Sequence, residues 1–244
     1  MAQYVYGIVE ATATAPRGRG IASAPLRLVV GDSAAALVSE IDGTSVRLGR
    51  EAILVHARVL ERALKRGVVL PMRFGVVMSG PDEVHSRLLD EHGPDLRAQL
   101  SEMKGKIEIR IRATYEQESV LRDLVVDHPE IARLRAAVRD RPEDATYYER
   151  IRLGELVASA MEHRRAHDGE AILQALETVA LAVEVGEPAH ERVALQASFL
   201  VERERQREFD QILDGVAENY GGQIRFKYTG PLPPHSFVEL AERV

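Results

Sequence analysis

Cysteine is absent from the sequence, tryptophan is absent too, and aromatic residues make up only 5% of it. Without cysteine there can be no disulfide, no thiolate metal site and no thiol nucleophile, which favours a reducing, cytoplasmic setting. With so few rings, a base-stacking platform or a large aromatic ligand pocket has little to be built from. Long apolar runs are missing as well. The stretches at residues 26–30 and 68–70 are strand-sized, far below the length that crosses a bilayer, and the start has neither the charged region nor the apolar region of a secretory signal. Basic residues are interleaved with acidic ones in a chain of formal net charge -6, so no phosphate-tracking surface is expected. Neither nucleic acid nor a membrane is an expected partner.

The motifs of common catalytic sites are missing too. No GxSxG, phosphate-binding GxxxxGK[ST], HExxH or calcium-loop pattern occurs, and no GxGxxG follows a strand. Gly18-Arg19-Gly20 is too short and isolated to cradle a phosphate, so residues 11–25 read as a linker. His163 and His167 stand four apart on a helical pattern, a spacing that suits a metal. No third ligand accompanies them, and solvated or structural histidines are the simpler reading. No catalytic residue, metal or cofactor is expected, and the chain reads as a binding or assembly protein rather than an enzyme.

What is present is an alternation of strand and helix patterns. Residues 4–9, 26–31 and 35–41 read as strands, the last two as a hairpin across Gly31-Asp32-Ser33. Residues 50–66 form an amphipathic helix with Ile53, Ala57, Leu60 and Leu64 on its inner stripe, and with His56 at the surface or boundary. Residues 68–78 read as a strand that Pro71 confines to an edge or bulge. A helix from Pro81 is broken at Gly93-Pro94 and continues through Leu96, Leu100 and Met103. Residues 106–113 alternate Ile107, Ile109 and Ile111 inward with Glu108, Arg110 and Arg112 outward and close a first domain.

The expected class is α+β, with two domains that are each a mainly antiparallel sheet with helices packed on it. They are an N-terminal α/β domain at 1–114, a charged helical connector at 115–146 and a C-terminal ferredoxin-like domain at 147–244. The last begins with a helix over 147–167 in which Tyr147, Ile151, Gly154, Val157 and Met161 share a stripe. A glycine there costs about 1 kcal/mol against alanine, for which close helix packing is the simplest reason. A short helix at 171–178, a hairpin ending in 193–201 and a helix at 203–220 follow. Two hairpin-helix-strand units, ending in Arg73-Phe74 and Arg225-Phe226, suggest an old duplication.

Two stretches stand out. Arg73, Phe74 and Gly75 place a cation inside an apolar strand, where it is either a strand arginine paired at the rim or an anion anchor in a pocket between the domains. Residues 223–238 start as a strand with Ile224, Phe226 and Tyr228 on one face. They go on through Thr229, Gly230, Pro231, Leu232, Pro233, Pro234, His235, Ser236 and Phe237, where three prolines forbid sheet-interior pairing and argue for a rigid, exposed docking edge.

The segments YVYGIV, VLPMRFG, YYERIRLGELV, ALQASFLVERE and IRFKYTGPLPPHSFVEL, in that order from residue 4 to residue 240, resemble the GvpL/GvpF family of gas vesicle proteins. That resemblance implies a non-enzymatic minor protein of gas vesicle formation, located at the gas vesicle and in the cytoplasm. It implies partnership with the small hydrophobic shell protein GvpA and with other accessory vesicle proteins. The contact residues to which these readings point are Arg73, Phe74, Gly75, Tyr228, Thr229, Gly230, Pro231, Pro233, Pro234 and Phe237. The alternative is a small-ligand binder or enzyme with an anion pocket around Arg73.

Overall fold

In the computed structural model, which describes residues 1–43 and 45–239, β1 (Ala2–Glu10) is buried along nearly all its length. Its tyrosines, valines and isoleucine suit a strand covered on both faces. The hairpin of β2 (Leu26–Val30) and β3 (Ala34–Ile41) forms as expected, and β3 pairs antiparallel with β1 from Ala2↔Ile41 to Glu10↔Ala34, with an irregularity between Val5 and Gly7. After α1 (Arg50–Leu64) the apolar stretch at 68–78 is two short strands rather than one. Pro71 ends β4 (Val69–Pro71), and β5 (Val77–Met78) returns to β1 at Gln3↔Met78. A Cβ on Gly7 would lie 2.7 Å from the Leu70 carbonyl oxygen, so glycine is what lets β4 approach β1 there. The sheet order is β2-β3-β1-β4, with β5 also on β1.

The buried stripe of α1 is His56, Val59, Leu60, Ala63 and Leu64. It is rotated from the expected one, which leaves Ile53 exposed. A short α2 (Pro81–Glu83) runs into a π-helical stretch at Val84–Asp90, and α3 (Gly93–Met103) restarts at Gly93-Pro94 as expected. Leu88, Leu96 and Leu100 from this pair pack with Val5, Ile8 and Leu70 in one core cluster.

The next strand, β6 (Lys106–Tyr115), does not close the first sheet. It is an inner strand of a second sheet, of order β7-β8-β6-β9. α4 (Gln117–Asp127), α5 (Pro129–Val138) and α6 (Tyr147–Glu177) follow it, then β7 (Ala182–Val185), β8 (Val193–Glu202), α7 (Gln206–Asn219) and β9 (Ile224–Leu232). Counted from β6, the chain runs strand, helices, strand, strand, helix, strand. The first strand lies between the third and fourth, with the second at the far edge, which is the ferredoxin-like order. The C-terminal ferredoxin-like fold is therefore present, and it begins with a strand that the sequence reading assigns to the domain before it.

Contacts divide the chain into one unit of Met1–Ile109, Leu200–Glu204 and the residues from Gly230 onward, and a second of Arg110–Phe199 and Arg205–Thr229. The sequence boundaries at 114 and 146 differ from this division, because a strand's sheet partners lie far away in the chain and leave no local signature. α6 is a single helix of 31 residues where the sequence suggests two. Its Asp168-Gly169 pair is a contact point rather than a break: a Cβ at Gly169 would lie 2.6 Å from the Ala194 carbonyl oxygen of β8. At Gly154, where close packing is the expectation, an added Cβ would meet nothing within 4 Å.

Candidate functional site

The turn between β4 and β5 carries Arg73 and Gly75 exposed and Phe74 half-buried. Gly75 holds φ at +99, a conformation that L side chains rarely adopt. Its N–H donates to Tyr4 Oη at 3.1 Å, and Tyr4 Oη lies 2.9 Å from His56 Nδ1. The Phe74 ring meets Tyr4 and His56 edge-on, with centroids 5.9 and 5.8 Å away. His56 also bonds the backbone of Met72. A carbonyl only accepts, so the proton is on the other ring nitrogen, Nδ1 accepts, and the Tyr4 hydroxyl donates.

Burial, with the charge of His235 adding to it, holds His56 down at about 4, and burial pushes Tyr4 up to about 12. The histidine is thus a neutral core residue, 6% exposed, and not the surface or boundary residue that its spacing suggests. Beside it Tyr6 Oη lies 2.8 Å from Ser39 Oγ and accepts from the Ile21 N–H at 2.6 Å. Part of the supposed linker at 11–25 is therefore anchored, with Ile21 buried.

The C-terminal stretch also departs from expectation. Pairing does not stop at Tyr228; β9 continues to Leu232, tolerating Pro231 because β9 is the end strand of its sheet. Beyond it the chain turns inward. Pro233 and Pro234 are buried. In the 3-10 turn His235–Phe237, the Ser236 N–H donates to Glu108 Oε2 at 2.7 Å and the Ser236 hydroxyl to Glu108 Oε1 at 3.0 Å. Phe237 and Val238 pack against the core cluster that contains Leu70 and Leu88.

Glu108, expected on the wet face of β6, is fully buried, and it is tolerated there because its carboxylate is hydrogen-bonded. Pro233 and Pro234 are therefore not free surface, and Phe237 is only partly so; this corrects the picture of a rigid exposed tail. Leu240, the last residue of the resembling segment, lies outside the described residues. Phe74 and His235 both bear on His56, which brings the first stretch and the tail to one place.

Apart from His235 and Ser236, which are exposed, the open part of the C-terminal stretch is the strand. Arg225, Lys227, Thr229 and Pro231 are exposed and Phe226, Tyr228 and Gly230 are half-buried, and no strand pairs on the outer side of β9 among the described residues. A groove of about 630 Å³ runs between β9 and α7, with Leu213 and Ala217 facing Ile224, Phe226 and Tyr228 across it. Gln206 Nε2 donates to Tyr228 Oη at 3.2 Å. The amphipathic pattern of α7 builds this wall, since Phe209 and Leu213 face inward as the periodicity predicts. Arg225, on the opposite face, pairs with Glu116 at 2.5 Å.

A second buried polar cluster braces the ferredoxin-like unit. The Tyr115 hydroxyl donates to Asp168 Oδ2 at 2.6 Å, and Arg164 meets Asp168, Asp123 and Gln223. Burial first, and the Asp168 carboxylate second, push the Tyr115 hydroxyl well above its ordinary range. These groups saturate one another, which suits a brace. Nothing in the local spacing of the sequence flags Asp168, Glu108 or His56, because each answers to a partner more than 50 residues away. Among the described residues no group of three or more His, Asp or Glu could hold a metal ion, and no helix is long and apolar enough to cross a membrane.

Comparison with known proteins follows the same lines. The profile of the family described as gas vesicle synthesis protein GvpL/GvpF matches residues 2–239. Gas vesicle protein F of Streptomyces sp. (strain CB03234) is 35% identical over 98% of this chain and 100% of its own length. Gas vesicle protein F of Dolichospermum flosaquae is 25% identical over 97% of both. Relatives such as these are named as gas vesicle proteins and not as enzymes. In fold, the chain matches the crystal structure of GvpF from Anabaena sp. PCC7120 with a TM-score of 0.80 at 21% identity, covering 100% of this chain and 98% of that one. The GvpF structure from Microcystis aeruginosa gives 0.78 at 22% identity, over 97% and 98%. The chain belongs to the gas vesicle synthesis protein GvpL/GvpF family.

Proposed function

We propose that this protein holds the hydrophobic shell protein GvpA, together with other accessory vesicle proteins, as the vesicle is assembled. Membership of the family gives it an accessory role in gas vesicles; the holding of shell subunits is the finer reading. The observation that carries it is the outer edge of β9. Its backbone donors and acceptors have no strand beside them among the described residues, and Phe226 and Tyr228 lie half-buried next to that edge. A free sheet edge flanked by apolar side chains is a surface on which an extended segment of another chain pairs. A hydrophobic shell subunit left alone in water self-associates, so a partner that covers its apolar surface keeps it available for assembly. The turn at Arg73, Phe74 and Gly75, rigid because Tyr4 and His56 hold it, is a second contact surface in this proposal.

Co-expression of the tagged chain with GvpA and the other vesicle proteins tests the reading. GvpA should co-purify with the chain, and cells without the chain should make no vesicles. Recovery of the chain alone, with vesicles formed normally in its absence, would sink the proposal.

A further inference from the structure

The groove between α7 and β9 has an apolar floor and an acidic wall. Leu213, Ala217, Ile224 and Phe226 line the floor, and Asp210 and Asp214 stand on the α7 side, one helical turn apart. Asp210 Oδ1 is withdrawn from solvent and has no hydrogen-bond partner among the described residues. A buried acceptor left in this state has given up its hydration without a replacement donor, and such an atom in a native fold calls for an explanation.

The neighbouring phenol does not supply one. Tyr228 gives its hydrogen bond to Asp210, and burial first and the Asp210 charge second push it up to about 12. It is already spent on the carboxylate, yet Oδ1 still lacks a donor. No ion pair to Asp210 or Asp214 forms among the described residues, although basic side chains are common in this chain. Along the same groove runs the open edge of β9. An unpaired backbone edge and two carboxylates without an ion pair among the described residues, the half-buried Asp210 with one unsatisfied oxygen and the exposed Asp214, thus lie side by side, one suited to an extended chain and the other to a cation.

We infer that the α7–β9 groove takes an extended partner segment that pairs with β9 and delivers a lysine or arginine side chain to Asp210 and Asp214. The flanking apolar residues of that segment lie on Phe226 and Leu213. The favoured segment has its basic residue two positions from its apolar ones, because a paired strand turns every second side chain to one face and the carboxylates and the apolar residues line the same groove. The inference rests on the docking reading given above and sharpens it: it names which side of the protein docks and the charge of what it receives.

The test uses the full chain and two labelled probe peptides, one repeating Val-Thr-Lys-Thr, which turns valine and lysine to the same face of a strand, and one with glutamate in place of lysine, followed by fluorescence polarisation. The lysine peptide should bind at least about tenfold more tightly than the glutamate peptide. Its binding should weaken with added salt and shift the backbone amide signals of Phe226 to Tyr228. Asp210→Asn with Asp214→Asn should cost about tenfold in affinity for the lysine peptide. The same change leaves the fold in place, because asparagine keeps the size of the side chain and an oxygen that accepts from the Tyr228 hydroxyl, and position 214 is exposed. Equal binding of the two peptides, or an unchanged affinity in the double variant, would overturn the inference.

Two further outcomes separate it from the docking reading. If GvpA binds the wild type and the double variant alike, the groove proposal fails and shell binding stands. If the lysine peptide binds but GvpA does not bind the wild type, the groove stands and the shell subunit is not its occupant. A doubled mass in sedimentation that the double variant abolishes would assign the groove to a second copy of this chain and overturn the inference.

Discussion

Residues 223–238 read as one feature in the sequence and do two opposite things in the structure. The first half, as β9, is the end strand of its sheet and leaves one backbone edge and half-buried rings open. The second half buries Pro233 and Pro234, fastens Ser236 to Glu108 and lays Phe237 on the core. Proline content marks both halves as unable to join a sheet interior, but that exclusion says nothing about exposure. Where a buried acceptor waits, a proline-rich segment becomes a fastening. Where a strand ends a sheet, it becomes an edge.

The contrast can be broken most severely at Glu108. Glu108→Ala removes the acceptor of both Ser236 bonds, and two charge-assisted hydrogen bonds at about 1.5–3 kcal/mol each set the expected loss at about 3–6 kcal/mol. Denaturant midpoints should fall, and hydrogen exchange should quicken at residues 235–238 while β9 stays protected. A loss of protection in β9 first would mean that the two halves are one structural piece.

His56, beside the tail, gives the next effect. Burial lowers its pKa from 6.5 to about 4 in the folded protein, so the unfolded chain takes the proton first. The histidine's contribution is complete above pH 6.5 and is lost as the pH falls towards 4, by roughly 2–3 kcal/mol over that window. His56→Gln should flatten this part of the pH–stability curve relative to wild type, and parallel curves would contradict the assignment. Smaller still, Pro234→Ala should cost about 1 kcal/mol through lost packing and looser unfolded-state restraint. Thr229→Ala, on the exposed face of β9, should stay within about 0.5 kcal/mol. If the two substitutions behaved alike, the distinction between fastened tail and open strand would be lost.

Much of this architecture is legible in the sequence wherever the signal is local. Ile107, Ile109 and Ile111 mark β6, Phe209 and Leu213 mark the inner face of α7, and Gly93-Pro94 marks the restart of α3. What the residues do not announce is which distant element they meet. β6 alternates like any half-buried strand, yet its Glu108 is buried because Ser236 lies against it, 128 positions later. Gly154 and Gly169 look alike on one helix, but only the second has a backbone carbonyl where its Cβ would be. The candidate site follows the same rule. Tyr228 is visible as a strand residue, whereas Asp210 and Asp214 gain meaning only once α7 is laid along β9.

In the proposed function β9, and not the proline tail, is the surface on which a vesicle partner docks. Hydrogen exchange of the full chain with and without GvpA tests it most directly. GvpA should add protection at residues 224–229 and on the groove side of α7, with residues 233–238 unchanged. Protection confined to the tail, with β9 exchanging as in the free protein, would contradict it.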